Sequence, residues 1–363
     1  MAFFTKKIIN FSDDAFGLDI NDLSVKIVQL KKTADSYEIN GYGYASIPPG
    51  VVSGGEIIKK DILVSKIQEA ITNSKPRKIK TKKVICSLPE SKSFLRIISM
   101  PKLEEAEMAE AIKWEIEANI PLPLNRVYYD WQILDQKIQE GKTKDSVDVL
   151  VLASAKTVVG QFIEIIEAAG LEVINLEVES IAQARSLIRE DDKSTSLIVD
   201  MGKENISFLF AVGNIPCFTS SIPLSLRSFD EAIAKEMSIS AGEAEKIKIN
   251  YGIGSVAKED QIFRALRPIL NSLVNEIEKS IDFYLNGLKY SKSVDKTIVC
   301  GGGANAKGII PYLSKKLGRE IILGNPWVNV EMEKGLPIIN RDEIVRYTTP
   351  IGLAIKSGFE ENR

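Results

Sequence analysis

Two aspartates, each closing a short apolar run, are the residues in this chain best placed to do chemistry: Asp19 ends FGLD and Asp200 ends LIVD. A carboxylate at a strand end, beside a tight polar turn, can hold a hydrated cation while the backbone N–H groups of the turn face an anion. Asn21, Ser24 and Lys26 follow Asp19 closely, and Gly202 follows Asp200. A third segment, IVCGGGANAKGIIPYL, runs from an apolar strand into Gly301, Gly302 and Gly303 and then, near Asn305, into a helix. Three glycines let a flat or charged ligand approach the backbone, and a helix N-terminus adds partial positive charge. The run has neither the G-x-G-x-x-G spacing nor the lysine of a P-loop, so by itself it is weak evidence.

The elements that must position these residues form a pattern that occurs twice. In the first copy FGLDIN turns into SVKIVQL, then YEINGYGYASIP, then a helical stretch from Glu56 to Ser74 with Ile58, Ile62, Ile67 and Ile71 as its expected buried face. In the second, LIVDMG turns into ISFLFAVG, then IPCFTSSIPL, then a helix from about Ser228 to Met237. Either copy alone reads as an ordinary hairpin with a surface aspartate. The repetition predicts two related α/β lobes facing across a cleft.

Composition narrows the chemistry. The 363 residues exceed what one core usually serves, and 44% hydrophobic with 26% charged residues suits a soluble globular chain. A net charge of -2 gives no global field for nucleic acid. With no histidine, any reaction rests on carboxylates, hydroxyls, amides and a bound ion. Cys86, Cys217 and Cys300 stand far apart, which suggests neither disulfides nor a thiolate metal site, and a reducing cytoplasm is the simplest setting. No apolar run is long enough to span a membrane. The basic stretch SKPRKIKTKK reads as a solvated connection rather than a lipid or nucleic-acid site.

Taken in order, GLDINDLSVK, LIVDMGKENIS and IVCGGGANAKGIIPYL resemble the two phosphate motifs and the adenosine motif of the actin superfamily. That resemblance implies an actin-like (ribonuclease H-like) two-lobed α/β fold. AEKIKINYG resembles the helix that meets ribose and purine; its Glu245 and Lys248, three apart, share a face. EVESIAQAR and YTTPIGLAI resemble the two helices that hinge the lobes. The segment 84–169 reads strand, strand, helix, strand, strand, helix and resembles the small α+β subdomain inserted in the first lobe of PilM and FtsA. Its helix buries Met108, Ile112, Ile116 and Ile120, and Trp114 stands off that stripe. The expected division is a first lobe over 1–83 with 170–193 and 340–363, the insert over 84–169, and a second lobe over 194–339 with a helical part over 228–295. WEIEANIPLPL and SIDFYLNG point to the PilM family of type IV pilus assembly proteins. The tail KSGFEENR is too short for the amphipathic membrane helix that FtsA-like proteins carry.

The resemblance implies an ATP-binding scaffold recruited to the inner membrane. It implies docking of a PilN-type tail in a groove lined by 84–100 and 127–134, contact with other pilus components, and self-association. Asp19, Asn21, Ser24, Lys26, Asp200, Gly202, Glu245, Lys248, Gly301, Gly302, Gly303 and Asn305 are the nucleotide residues it implies, with Asp19 and Asp200 on Mg2+. Glu179 is the candidate to orient a hydrolytic water; a solvated helix-end carboxylate is the alternative. Asn21, Asp22, Lys203 and Ile206 depart from the phosphate motifs. Asn21 is expected to keep the turn by tolerating positive φ, and Asp22 to repel phosphate. Ser207, one place late, is expected on the wrong face of its strand. ATP binding is therefore expected and efficient hydrolysis is not. A pseudo-ATPase scaffold, an FtsA-like filament protein and a metabolite kinase are the competing readings.

Overall fold

A computed structural model describes residues 15–32, 37–120, 122–134, 138, 145–253, 257–288, 290, 293–330, 339 and 341–357. The chain opens with β1 (Phe16–Asn21), β2 (Ser24–Lys32) and β3 (Tyr37–Ser46), an antiparallel meander. A small hairpin, β4 (Val52–Ser53) and β5 (Glu56–Ile57), leads to α1 (Lys60–Thr72). Because α1 starts only at Lys60, its buried face is Leu63, Ile67 and Ala70, while Ile58 and Ile62 are exposed. Then come β6 (Lys75–Pro76) and β7 (Lys83–Leu88), and β7 runs parallel to β1.

The inserted unit is β8 (Ser93–Pro101), α2 (Glu105–Asn119), β9 (Val127–Ile133) and β10 (Ser146–Ala155). Met108, Ile112, Ile116 and Ile120 form a separate small core against Ile98, Met100, Val127, Val149 and Val151. The stripe at every fourth position closes this core, as its spacing predicts.

Back in the first lobe lie α3 (Lys156–Ala168), β11 (Glu172–Val178) and α4 (Glu179–Leu187). Among the described residues the first sheet has the order β11-β7-β1-β2-β3-β6. The expected insert boundaries of 84–169 therefore need correction. The apolar strand VICSL is buried between β1 and β11, and Val158, Val159, Phe162, Ile165 and Ile166 of α3 join the main core.

The second lobe repeats the meander as β12 (Thr195–Met201), β13 (Ile206–Val212) and β14 (Ile215–Ile222). Helices α5 (Leu226–Met237), α6 (Ala241–Tyr251) and α7 (Ala257–Asp282) follow. β15 (Lys296–Cys300), parallel to β12, leads to α8 (Ile309–Leu317) and β16 (Ile321–Leu323). The chain returns through α9 (Arg341–Ile344) to α10 (Thr348–Lys356), which packs on β1 and α4.

The insert does not belong to the first lobe alone. Phe218 of β14 pairs with Arg96 of β8, so the second sheet runs β16-β15-β12-β13-β14-β8-β10-β9 among the described residues. The Arg96 guanidinium lies over the rings of Phe94 and Phe218, 5.3 and 5.9 Å from their centroids. That stacking fastens the junction.

Candidate functional site: a cleft between paired aspartates

β1 and β12, one from each lobe, carry aspartates near enough to each other for their charges to interact. Asp19 is buried; its Oδ2 accepts from Lys26 Nζ at 2.9 Å and its Oδ1 from Ser87 Oγ at 3.1 Å. Asp200 accepts a 2.6 Å hydrogen bond from Gln183 Nε2 of α4. The two carboxylates feel each other. Burial pushes the Asp200 acid up and the charge of Asp19 adds to that, against the Gln183 hydrogen bond and the charge of Lys26.

Glu179, at the head of α4, faces the same floor. Burial, with the charges of Asp19, Asp200 and Glu90, holds it well above the usual carboxylate range. Below it lies Glu90, only 6% exposed, whose two oxygens have no hydrogen-bond partner among the described residues. Ser180 and Thr219 stand beside it, and burial together with Asp200 pushes its acid up. Ser87, Gln183 and Glu90 were not singled out from sequence. Gln183 carried a usable signal, since it lies one helical turn after Glu179 on the same face.

The turn between β1 and β2 survives for a different reason than expected. Asn21 does not adopt positive φ; its Oδ1 accepts from Leu23 N at 3.2 Å, Ser24 N at 3.0 Å and Ser24 Oγ at 3.0 Å. The side chain itself ties the turn, as asparagine does in short loops. Asp22 points elsewhere, accepting from the Gly54 and Gly55 amides at 3.1 and 3.2 Å. Those hydrogen bonds stabilise its charge away from the turn's own amides.

In the second lobe the register moves Ser207 to a useful place. It pairs directly with Asp200 across the β12–β13 ladder, so both side chains leave the same face of the sheet. Ile206, opposite Met201, is fully buried. The expectation that Ser207 faces the wrong way is corrected by one extra residue in the loop.

The glycine run closes against the same carboxylate. A Cβ at Gly301, where φ is +79°, would lie 2.0 Å from Asp200 Oδ1. One at Gly303 would lie 2.7 Å from Met201 Cβ, whereas at Gly302 the nearest atom is 3.9 Å away. Gly302 thus keeps an open face, and partly buried Asn305 follows in the turn before α8.

Glu245 and Lys248 are separated in role by their partners. Lys248 Nζ lies 2.5 Å from Asp230 in a buried pair and donates to the Leu226 carbonyl at 3.4 Å. Glu245 pairs with Lys203 at 2.9 Å at the cleft edge. The buried Lys248 ammonium has its counter-charge in Asp230.

The hinge lies behind the floor. A Cβ on Gly352 of α10 would lie 1.8 Å from the Ala182 carbonyl of α4, so the two helices cross at backbone contact. Buried Glu177 accepts two 2.7 Å bonds from Arg185 and one of 3.1 Å from Lys356, tying β11, α4 and α10 together.

Comparison with known proteins fits this geometry. The family model for type IV pilus assembly protein PilM matches residues 17–358. The chain belongs to that family. A solved PilM–PilN type IV pilus biogenesis complex is 27% identical, covering 95% of this chain and 98% of that one with a TM-score of 0.79. Cell division protein FtsA of Neisseria meningitidis is 23% identical, covering 93% of this chain and 88% of that protein. MreB5 of Spiroplasma citri bound to AMPPNP has a TM-score of 0.51 at 14% identity, covering 94% of both chains, and shares the fold. The actin-like fold and the PilM kinship are thus established, and FtsA is the more distant relation.

Proposed function

We propose that this PilM-family chain is a cytoplasmic scaffold of type IV pilus assembly that docks the tail of a PilN-type membrane protein and binds an adenine nucleotide in its cleft. The docking reading rests on a cavity of about 650 Å3 where the insert meets the first lobe. Pro123, Leu124, Val127, Tyr128 and Tyr129 line it on the insert side and Lys156 on the α3 side, with Glu117 at its margin. Lys156 Nζ sits 5.3 Å from the centre of the Tyr128 ring. β9 is the outer strand of its sheet among the described residues, so an extended peptide can add alongside it. Of the groove expected at 84–100 and 127–134, residues 127–129 line this cavity. No helix among the described residues is long and apolar enough to cross a membrane, so attachment through a membrane-borne partner suits the chain.

The nucleotide reading is supported by the donor set around Asp19 and Asp200. Asp19 and Asp200 can hold a hydrated Mg2+, and Gly302 leaves backbone open to an adenosine. Bound Mg2+ neutralises phosphate charge. The chain's own contribution is the Asn21-tied turn, Ser207 opposite Asp200, and Gln183 holding Asp200 in place.

The docking claim is tested by calorimetric titration of the whole chain with a synthetic PilN-type tail. Micromolar binding, weakened about tenfold by Tyr128→Ala, is expected for loss of one anchoring aromatic. Absence of heat at high micromolar peptide contradicts it.

A further inference from the structure

The cleft floor carries more acid than base. Asp19, Asp200, Glu179 and Glu90 interact there, and Lys26 is held by Asp19 in a pair whose side chains are 8% and 6% exposed. A nucleoside polyphosphate needs further positive charge in this place. Lys248 is as firmly held as Lys26, in a pair with Asp230 whose side chains are 8% and 7% exposed. Opening either pair would leave two charges buried without counter-ions.

Lys203 differs. Its pair with Glu245 has side chains 38% and 42% exposed, so water can replace either partner. Its backbone is nonetheless fixed: the Arg227 amide donates to the Lys203 carbonyl and the Leu226 amide to the Gly202 carbonyl, both at 3.2 Å. The result is a long cationic arm on a rigid pivot, three residues after Asp200 in the loop joining β12 and β13. Its partner keeps its own reason to stay charged, since Lys248 and Arg346 also favour the anionic form of Glu245.

We propose that Lys203 and Glu245 form an exchangeable pair, in which Glu245 turns to the ribose hydroxyls of an adenine nucleotide and Lys203 to its phosphates. This rests on the nucleotide reading of the cleft. It gives the lysine that departs from the phosphate motif a function: it supplies mobile charge to a loop whose Ile206 side chain is committed to the core. Charge-assisted contacts to phosphate are stronger than neutral ones, so the arm discriminates phosphorylated ligands from bare nucleosides.

The test is calorimetric titration of the whole chain with ATP plus Mg2+ and, separately, with adenosine, on the unaltered protein, Lys203→Met, Lys203→Arg and Glu245→Gln. Lys203→Met should weaken ATP about tenfold or more while leaving adenosine within about twofold. Lys203→Arg should keep most of the ATP affinity, and Glu245→Gln should weaken both ligands. Equal losses for ATP and adenosine in Lys203→Met, or no loss for either, overturn the exchange while leaving the nucleotide reading intact. An unaltered protein that takes up neither ligand overturns that reading, and the exchange with it.

Discussion

Gln183 holds Asp200 across the boundary between the hinge and the second lobe: its Nε2 donates to Asp200 Oδ2 at 2.6 Å and lies 3.3 Å from Thr349 Oγ1 of α10. One side chain thus touches both connecting helices and the loop facing the ligand. A displacement of Asp200 would therefore be felt at α10 through this side chain.

Gln183→Leu removes the only hydrogen bond to the Asp200 side chain among the described residues and leaves a half-buried carboxylate without a protein donor. A loss of about 1–3 kcal/mol is expected from urea unfolding. A parallel weakening of nucleotide affinity should accompany it. Unchanged stability would mean that water satisfies Asp200 as well as the carboxamide does.

Glu90 sets a dependence on alkaline rather than acid conditions. Its folded value is raised above the unfolded one by burial, so its contribution is fully present below the unfolded value and is lost as pH rises through the folded one. Glu90→Gln should therefore raise stability by about 1–3 kcal/mol above the unfolded value of 4.5 and flatten the decline that sets in as pH rises from there. Identical slopes for the two proteins in urea midpoints would show that Glu90 is satisfied by solvent.

Glu177 works in the opposite sense. Burial alone would raise its acid, but Arg185 and Lys356 outweigh that and bring it down to about 2. The stabilisation is present above the unfolded value of 4.5 and is lost as pH falls from there toward 2. Glu177→Gln should cost about 3–5 kcal/mol at neutral pH, because Arg185 and Lys356 lose a buried counter-charge. Thermal melts from pH 7 to pH 3 check both: the variant should be less stable at pH 7 and converge with the parent in acid.

Gly301→Ala tests the cradle. The new methyl meets Asp200 Oδ1 and the backbone must keep a φ of +79° that alanine resists. About 2 kcal/mol or more of destabilisation is expected, with loss of nucleotide binding. A fully stable variant that still binds ATP would place the ligand elsewhere.

Much of this architecture was legible because it is local. The two meanders and the stripe Met108–Ile112–Ile116–Ile120 are written in periodicity and turn residues, the helices over EVESIAQAR and YTTPIGLAI came with the family resemblance, and the structure has each of them. What depends on register and distant partners was not. One extra residue in a loop decides whether Ser207 or Ile206 shares the face of Asp200, and no spacing rule announces it. Strand 83–88 reads the same whether it opens an insert or lies between β1 and β11; its burial on both faces settled the matter. Asp22 was expected to repel a ligand because its partners, the Gly54 and Gly55 amides, lie more than thirty residues away. The partner of Lys248, Asp230 on another helix, could not be foreseen from spacing.

The most direct test of the shared cleft is hydrogen–deuterium exchange on the whole chain with and without ATP and Mg2+. Slower exchange is predicted together at 17–26, 200–208 and 300–308, three loops from two lobes that only a common ligand can protect at once. No protection, or protection confined to one lobe, would contradict a nucleotide held between Asp19 and Asp200.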